Sequence, residues 1–174
     1  YARRLAASGC RVIVPVLIDR RPALNQISRR ELIYRSAYEL GRHLIGYEVQ
    51  KVLALVDWCA ATARTQGGPA IPLGTIGWGE GGLLALYAAA LDQRIAAAGV
   101  SGYFQNRQAL GREPIYRNVW SQLTEFGDAE LAGLIAPRNL VIEACRAPQV
   151  SGPPAPGKGR SGGAAPGGIE NCTL

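Results

Sequence analysis

The chain has 174 residues, enough for one domain with a substantial buried core. With 48% hydrophobic and 18% charged residues it is neither fibrous nor disordered as a whole, and no apolar run approaches the roughly 20 residues of a membrane span. The net charge of +6 gathers in residues 1–46, where nine arginines face Asp19, Glu31 and Glu39; they lie singly or in pairs without interleaved aromatics, which excludes a nucleic-acid surface.

Tyr1-Ala2-Arg3-Arg4-Leu5-Ala6 reads as the body of a helix that Gly9 stops. The chain contains no methionine, so the expectation is that its numbering starts inside a longer protein. Cys10-Arg11-Val12-Ile13-Val14-Pro15-Val16-Leu17 is rich in β-branched residues and predicts a strand, with a loop over 19–27. Ser28-Arg29-Arg30-Glu31 is a capping box that opens a helix running to about Gly41. From about Gly46 to Thr65, Val49, Val52, Leu53, Val56 and Ala60 keep helical spacing, and Gly67-Gly68 ends this second helix. His43, between the two, reads as a packing or capping residue rather than a base.

Residues 71–76 form a short apolar strand, followed at once by Gly77-Trp78-Gly79-Glu80-Gly81-Gly82 and a helix over 83–91 that is apolar nearly all round. A strand over 95–100 leads into Ser101-Gly102-Tyr103-Phe104. The long stretch 105–126 holds Arg107, Arg112, Glu113, Tyr116, Arg117 and Trp120. Asp128 caps a helix to about Ile135, and Pro137 separates it from a strand over 139–143. This order predicts an α/β fold with a mainly parallel sheet and helices on both faces. Residues 1–150 make one domain; residues 151–174 are rich in glycine and proline and predict an irregular or disordered tail.

Cys10, Cys59, Cys145 and Cys172 are widely spaced, form no C-x-x-C pair and accompany a single histidine, which argues against zinc. Cys10 and Cys145 at strand ends and Cys59 on a helix face read as small core residues.

A strand, a tight glycine turn and an immediate apolar helix are the physical form of a nucleophile elbow. The central residue is held in a strained backbone and small neighbours relieve the crowding. The segment from Ile76 to Ala90 resembles the elbow of α/β-hydrolases of the dienelactone hydrolase and acetyl xylan esterase branch, with uncharacterised bacterial hydrolase-like proteins nearest in appearance. Asp92-Gln93-Arg94-Ile95 and Ile135-Ala136-Pro137-Arg138-Asn139-Leu140-Val141-Ile142-Glu143 are similar to the same branch. The resemblance covers roughly residues 1–150 and implies a partial α/β-hydrolase fold and carboxylic-ester hydrolysis. Against the family pattern G-x-S-x-G, the serine position is Gly79. The acid position after the strand ending at Glu143 finds no carboxylate in Arg146-Ala147-Pro148-Gln149-Val150, and no histidine follows His43. Losing the nucleophile or the base of such a triad costs ~10⁶-fold in turnover, so the expectation is a chain inactive as a serine esterase.

The residues left to weigh at that turn are Gly79, Glu80 and Ser101. Glu80 reads as a first-turn helix residue whose carboxylate suits the helix N-terminus. Ser101 lies at the carboxyl ends of the strands, where open α/β sheets place ligands, and Cys145 shares that edge. A small-molecule ligand is expected there, with Arg112 or Arg117 drawing an anionic group; no cofactor, nucleic acid or membrane is expected. Two alternatives stand beside the hydrolase reading. Gly77, Gly79 and Gly82 also satisfy G-x-G-x-x-G, the NAD(P)-binding fingerprint, although no acidic residue ends the next strand. The chain is otherwise a non-catalytic binding scaffold.

Overall fold

Three strands, β1 (Leu73–Trp78), β2 (Ile95–Ser101) and β3 (Asn139–Glu143), lie side by side in that order and run parallel. The computed structural model describes residues 1–19, 28–65, 67, 69 and 71–148; the predicted tail over 151–174, Cys172, Gly68 and most of the 19–27 loop lie outside them. Parallel neighbours need a crossover between them. Helix α4 (Glu80–Leu91) carries the chain from β1 to β2, and α5 (Asp128–Ile135) stands before β3. The predicted 139–143 strand is β3 to the residue, while β1 starts and ends two residues later than the 71–76 expectation.

Helix α4 is buried from Gly82 to Ala89 and packs on β1 and β2. Its residues, Ile95, Ala98 and Val100 of the sheet, Leu131 and Ile135 of α5, and Ile45, Val49 and Val56 of α3 (Leu44–Thr65) form one core. Helix α2 (Arg29–Glu39) begins where the capping box places it, with the Glu31 N–H donating to Ser28 Oγ at 3.1 Å. The chain is therefore α/β, a parallel sheet with helices packed against it. Helix cover on the second face is thinner than the chain order implies, since Ile76, Trp78 and Val141 there are 46%, 48% and 66% exposed. Among the described residues no helix is long and apolar enough to cross a membrane.

Three local expectations are corrected. Residues 10–17 form no strand. An extended segment needs a ladder for its N–H and C=O groups, and here Val14 and Val16 stay 71% and 86% exposed and Cys10 is exposed, not a core residue. The segment is held by side chains instead: Lys51 Nζ donates to Val16 O at 3.2 Å, and the Ile18 N–H donates to Glu48 at 2.9 Å. Helix α1 (Ala2–Ala7) buries none of its residues. Asp128 does not cap α5; Gly127 does, and Asp128 is the first helical residue. Its carboxylate turns away to accept from the Gln105 N–H at 3.1 Å and Arg107 Nε at 2.8 Å.

His43 takes the capping role. Its Nδ1 accepts the Ile45 N–H at 3.1 Å, so Nε2 carries the proton and donates to Asn118 O at 2.9 Å. Burial pulls the imidazole below its ordinary 6.5, against the hydrogen bond to Asn118. The folded ring binds protons less tightly than the unfolded one. The stabilisation is therefore complete above about pH 6.5 and is lost as pH falls through the lower, folded value. Tm is expected to drop on acidification below about pH 6.5, and His43→Gln to flatten that part of the profile. A profile of equal slope in both proteins would break the assignment.

Candidate functional site

Register brings the carboxyl ends of the strands into one row: Trp78 pairs with Ser101, and Ser101 with Glu143. The chain leaves β1 through Gly79, which has φ 58° and ψ −118°, and enters α4 at the next residue. Only glycine holds that left-handed φ without penalty, and a side chain there is under strain of the kind stored at functional turns. The Gly79 N–H donates to Ser101 O at 2.8 Å, which ties the bend to the end of β2. Its C=O accepts the Leu83 N–H at 3.1 Å and starts the helix.

The glycines around it serve close packing. A Cβ at Gly77 would lie 2.1 Å from the backbone C and O of Gly81; at Gly82 it would lie 3.0 Å from Ser101 O and 3.2 Å from Tyr103 Cβ. Strand and helix approach so closely that Gly77 has no room for a side chain, and Gly82 is tightly packed. The space Gly79 would fill with a side chain is already taken. A Cβ there would lie 2.4 Å and 2.5 Å from Cδ and Cγ of Pro148. Pro148 is carried by the segment after β3, which is pinned beside the turn by the Trp78 indole N–H donating to Arg146 O at 2.9 Å and by buried Ala147.

The three predicted site residues meet at this turn through their backbones, but the side chains of Glu80 and Ser101 are engaged in separate groups. Glu80 is fully buried and turns into the protein, where it pairs with Arg30 of α2. Arg30 forks onto Glu48 of α3, Nη1 to Oε1 at 2.6 Å and Nη2 to Oε2 at 2.9 Å, and donates to Ile18 O at 3.0 Å. Burial pulls the Arg30 guanidinium down, but the Glu48 hydrogen bond and the charges of Glu80 and Glu48 outweigh it, so its pKa rises. The Glu80 carboxylate is thus turned inward onto Arg30 and away from the strand ends.

Ser101 is 2% exposed and joins a small polar cluster. Its Oγ donates to Glu143 Oε2 at 2.5 Å, and the Tyr1 hydroxyl donates to the same oxygen at 2.5 Å. Cys145 Sγ is 3.2 Å from Ser101 Oγ. Hydrogen bonds from Ser101 and then Tyr1 hold the Glu143 carboxyl below its usual range. The ionised Glu143 carboxylate accepts from the hydroxyl, but its lowered pKa makes it a weak base for the serine proton. His43, the chain's one imidazole, is engaged at both nitrogens with Ile45 and Asn118.

The expected anion-drawing role of Arg117 is overturned. Arg117 is 1% exposed, its Nε lies 3.1 Å from Glu113 Oε2, and its guanidinium sits 5.1 Å from the Tyr103 ring centroid. Arg107 joins the same buried group with Glu113 and Asp128, each at 2.8 Å. Arg112 is exposed. Among the described residues no group of three or more His, Cys, Asp or Glu side chains could hold a metal ion.

Sequence reasoning missed Arg30, Glu48, Glu143 and Pro148. One signal was available: Glu48 interrupts the apolar stripe Ile45, Val49, Val52, Val56, and a carboxylate on a buried helix face demands a cation. Nothing in the sequence near Pro148 points to Gly79. No family model matches the chain, and no curated protein or solved structure matches it.

Proposed function

We propose that this chain is an α/β-hydrolase-like domain, esterase-like in descent, that no longer performs serine-ester hydrolysis and persists as a binding or structural scaffold. The observation that carries the reading is the bend at Gly79, φ 58° and ψ −118°, directly between a parallel strand and a buried helix. That is the strained position from which an elbow presents its nucleophile. The loss of function rests on what surrounds it: glycine in place of a nucleophile, Pro148 filling the side-chain space, Glu80 spent on Arg30, and both nitrogens of His43 engaged elsewhere.

The dinucleotide alternative draws less support. Gly77 and Gly82 are glycine because strand and helix touch there, and the Gly79 N–H is spent on Ser101 O rather than presented to a phosphate.

The test restores the missing atom. Gly79→Ser is expected to hydrolyse 4-nitrophenyl acetate no faster than buffer and to lower Tm, because its Cβ meets the Pro148 ring at a left-handed φ. Gly79→Ser with Pro148→Gly is expected to regain part of the stability and still no turnover, since the base is absent. Saturable turnover in either variant, or in the unaltered chain, would overturn the reading.

A further inference from the structure

The residues that follow β3 run across the ends of the sheet one strand at a time. The Gly102 N–H donates to Glu143 O at 3.0 Å, just past the paired residues of β2 and β3. Cys145 Sγ then lies 3.2 Å from Ser101 Oγ, at the end of β2. Arg146 O accepts the Trp78 indole N–H at 2.9 Å, at the end of β1. Pro148 comes last and covers Gly79, where a Cβ would lie 2.4 Å from its Cδ. Gly102, at φ 58°, gives this crossing its clearance. A Cβ there would lie 3.1 Å from Trp78 Nε1 and 3.2 Å from both Arg146 O and Cys145 Sγ.

The crossing lies over the edge where parallel sheets place ligands, yet few contacts hold it. Among the described residues it is tied down by the Trp78 bond, the Ser101–Cys145 contact, the Pro148 ring on Gly79 and one buried side chain, Ala147. Ala144 and Arg146 are exposed, and so is the Trp78 ring that supplies the bond. Arg138, directly before β3, is anchored far more firmly. Its guanidinium donates to Asp92 O at 3.0 Å, Ile95 O at 2.8 Å and Leu134 O at 3.0 Å. A segment with so few buried contacts opens at a lower free energy than the sheet it crosses.

We propose that residues 144–148 are an autoinhibitory strap that shuts the strand-end edge and swings open as a unit about Glu143, with the Trp78 indole N–H as its latch. Closed, the strap sets its proline on the Gly79 turn, so this structure is the occluded state. Open, it uncovers the turn and leaves the pairing of β2 with β3 in place, because the ladder ends at Glu143. The strap's control over ligand access rests on reading that edge as the binding edge. Its opening does not, and is measured without any ligand.

The experiment follows two reactions on the folded full chain by mass spectrometry: trypsin cleavage after Arg146 and iodoacetamide labelling of Cys145. Trp78→Phe keeps the ring and removes the N–H, so it should speed both reactions by the same factor, roughly 2- to 10-fold. Cleavage after Arg138 reports opening of the sheet itself and should not change. Ala147→Asn buries a polar amide under the strap and should speed Cys145 labelling by about tenfold or more. Trp78 is half exposed, so Trp78→Phe should melt with the unaltered chain; if it melts early, Ala147→Asn carries the test through the labelling rate. Unchanged rates in both variants, a rise in only one of the two reactions in Trp78→Phe, or an equal rise after Arg138 would each overturn the strap. The elbow reading survives any of these results, because turnover tests it separately.

Discussion

Arg30→Met is expected to destabilise the protein by about 3–5 kcal/mol, enough to unfold a domain of ordinary stability. The reason is what remains behind. Arg30, Glu48 and Glu80 are each 2% exposed or less, on α2, α3 and α4, and the guanidinium also holds Ile18 O. Removing it leaves the Glu48 and Glu80 carboxylates in the core without the guanidinium they share. Glu48 keeps the Ile18 N–H, and Glu80 keeps the positive end of α4, in whose first turn it sits. Neither replaces a full cation. Arg30→Lys should be nearly as damaging, since one ammonium cannot fork onto Glu48 while reaching Glu80 and Ile18. The decisive measurement is rescue. Adding Glu48→Gln and Glu80→Gln to Arg30→Met should recover more than half of the loss in urea midpoint, because the uncompensated charge is gone. If the triple variant is no more stable than the single one, the loss came from packing, for instance against the Tyr116 ring 4.8 Å from the guanidinium.

That network also marks the boundary of what the sequence could disclose. Features set by neighbours a few residues apart were legible. The Ser28–Glu31 capping box opens α2, the apolar spacing 49–56 lies on the buried side of α3, and β3 occupies 139–143 as expected. So was the bend itself, because an apolar strand, a run of glycines and an apolar helix follow one another without a loop between them. What was not legible depends on partners far along the chain. Residues 10–17 have the composition of a strand, but a strand exists only with a neighbour to pair with, and none is supplied among the described residues. Glu80 was readable as a first-turn helix residue; that its charge is met by an arginine 50 positions earlier was not. Arg117 looked available because arginine on a loop is usually solvated. Here Glu113, one helical turn away, and Tyr103 enclose it. Pro148 reaches Gly79 only once three strands are aligned.

The tightness of the bend makes a prediction of opposite sign at two glycines four residues apart. Gly77→Ala is expected to cost about 4 kcal/mol or more, or to abolish folding. Its new methyl would sit 2.1 Å from the C and O of Gly81 and 2.7 Å from its Cα, all backbone atoms of the first turn of α4. No rotamer change relieves a collision with backbone. Strand and helix would have to separate, and the Gly79–Ser101 hydrogen bond and the core beneath α4 would go with them. Gly81→Ala is expected to stabilise by about 0.5–1 kcal/mol, because its added methyl meets nothing within 4 Å and alanine loses less backbone entropy than glycine in a helix. Urea unfolding of both variants at unchanged m-value measures the pair. A tolerated Gly77→Ala would mean that β1 and α4 do not meet as closely as 2.1 Å implies. A destabilising Gly81→Ala with a harmful Gly77→Ala would point the other way, to a first turn so crowded that even the solvent side of α4 resists a methyl.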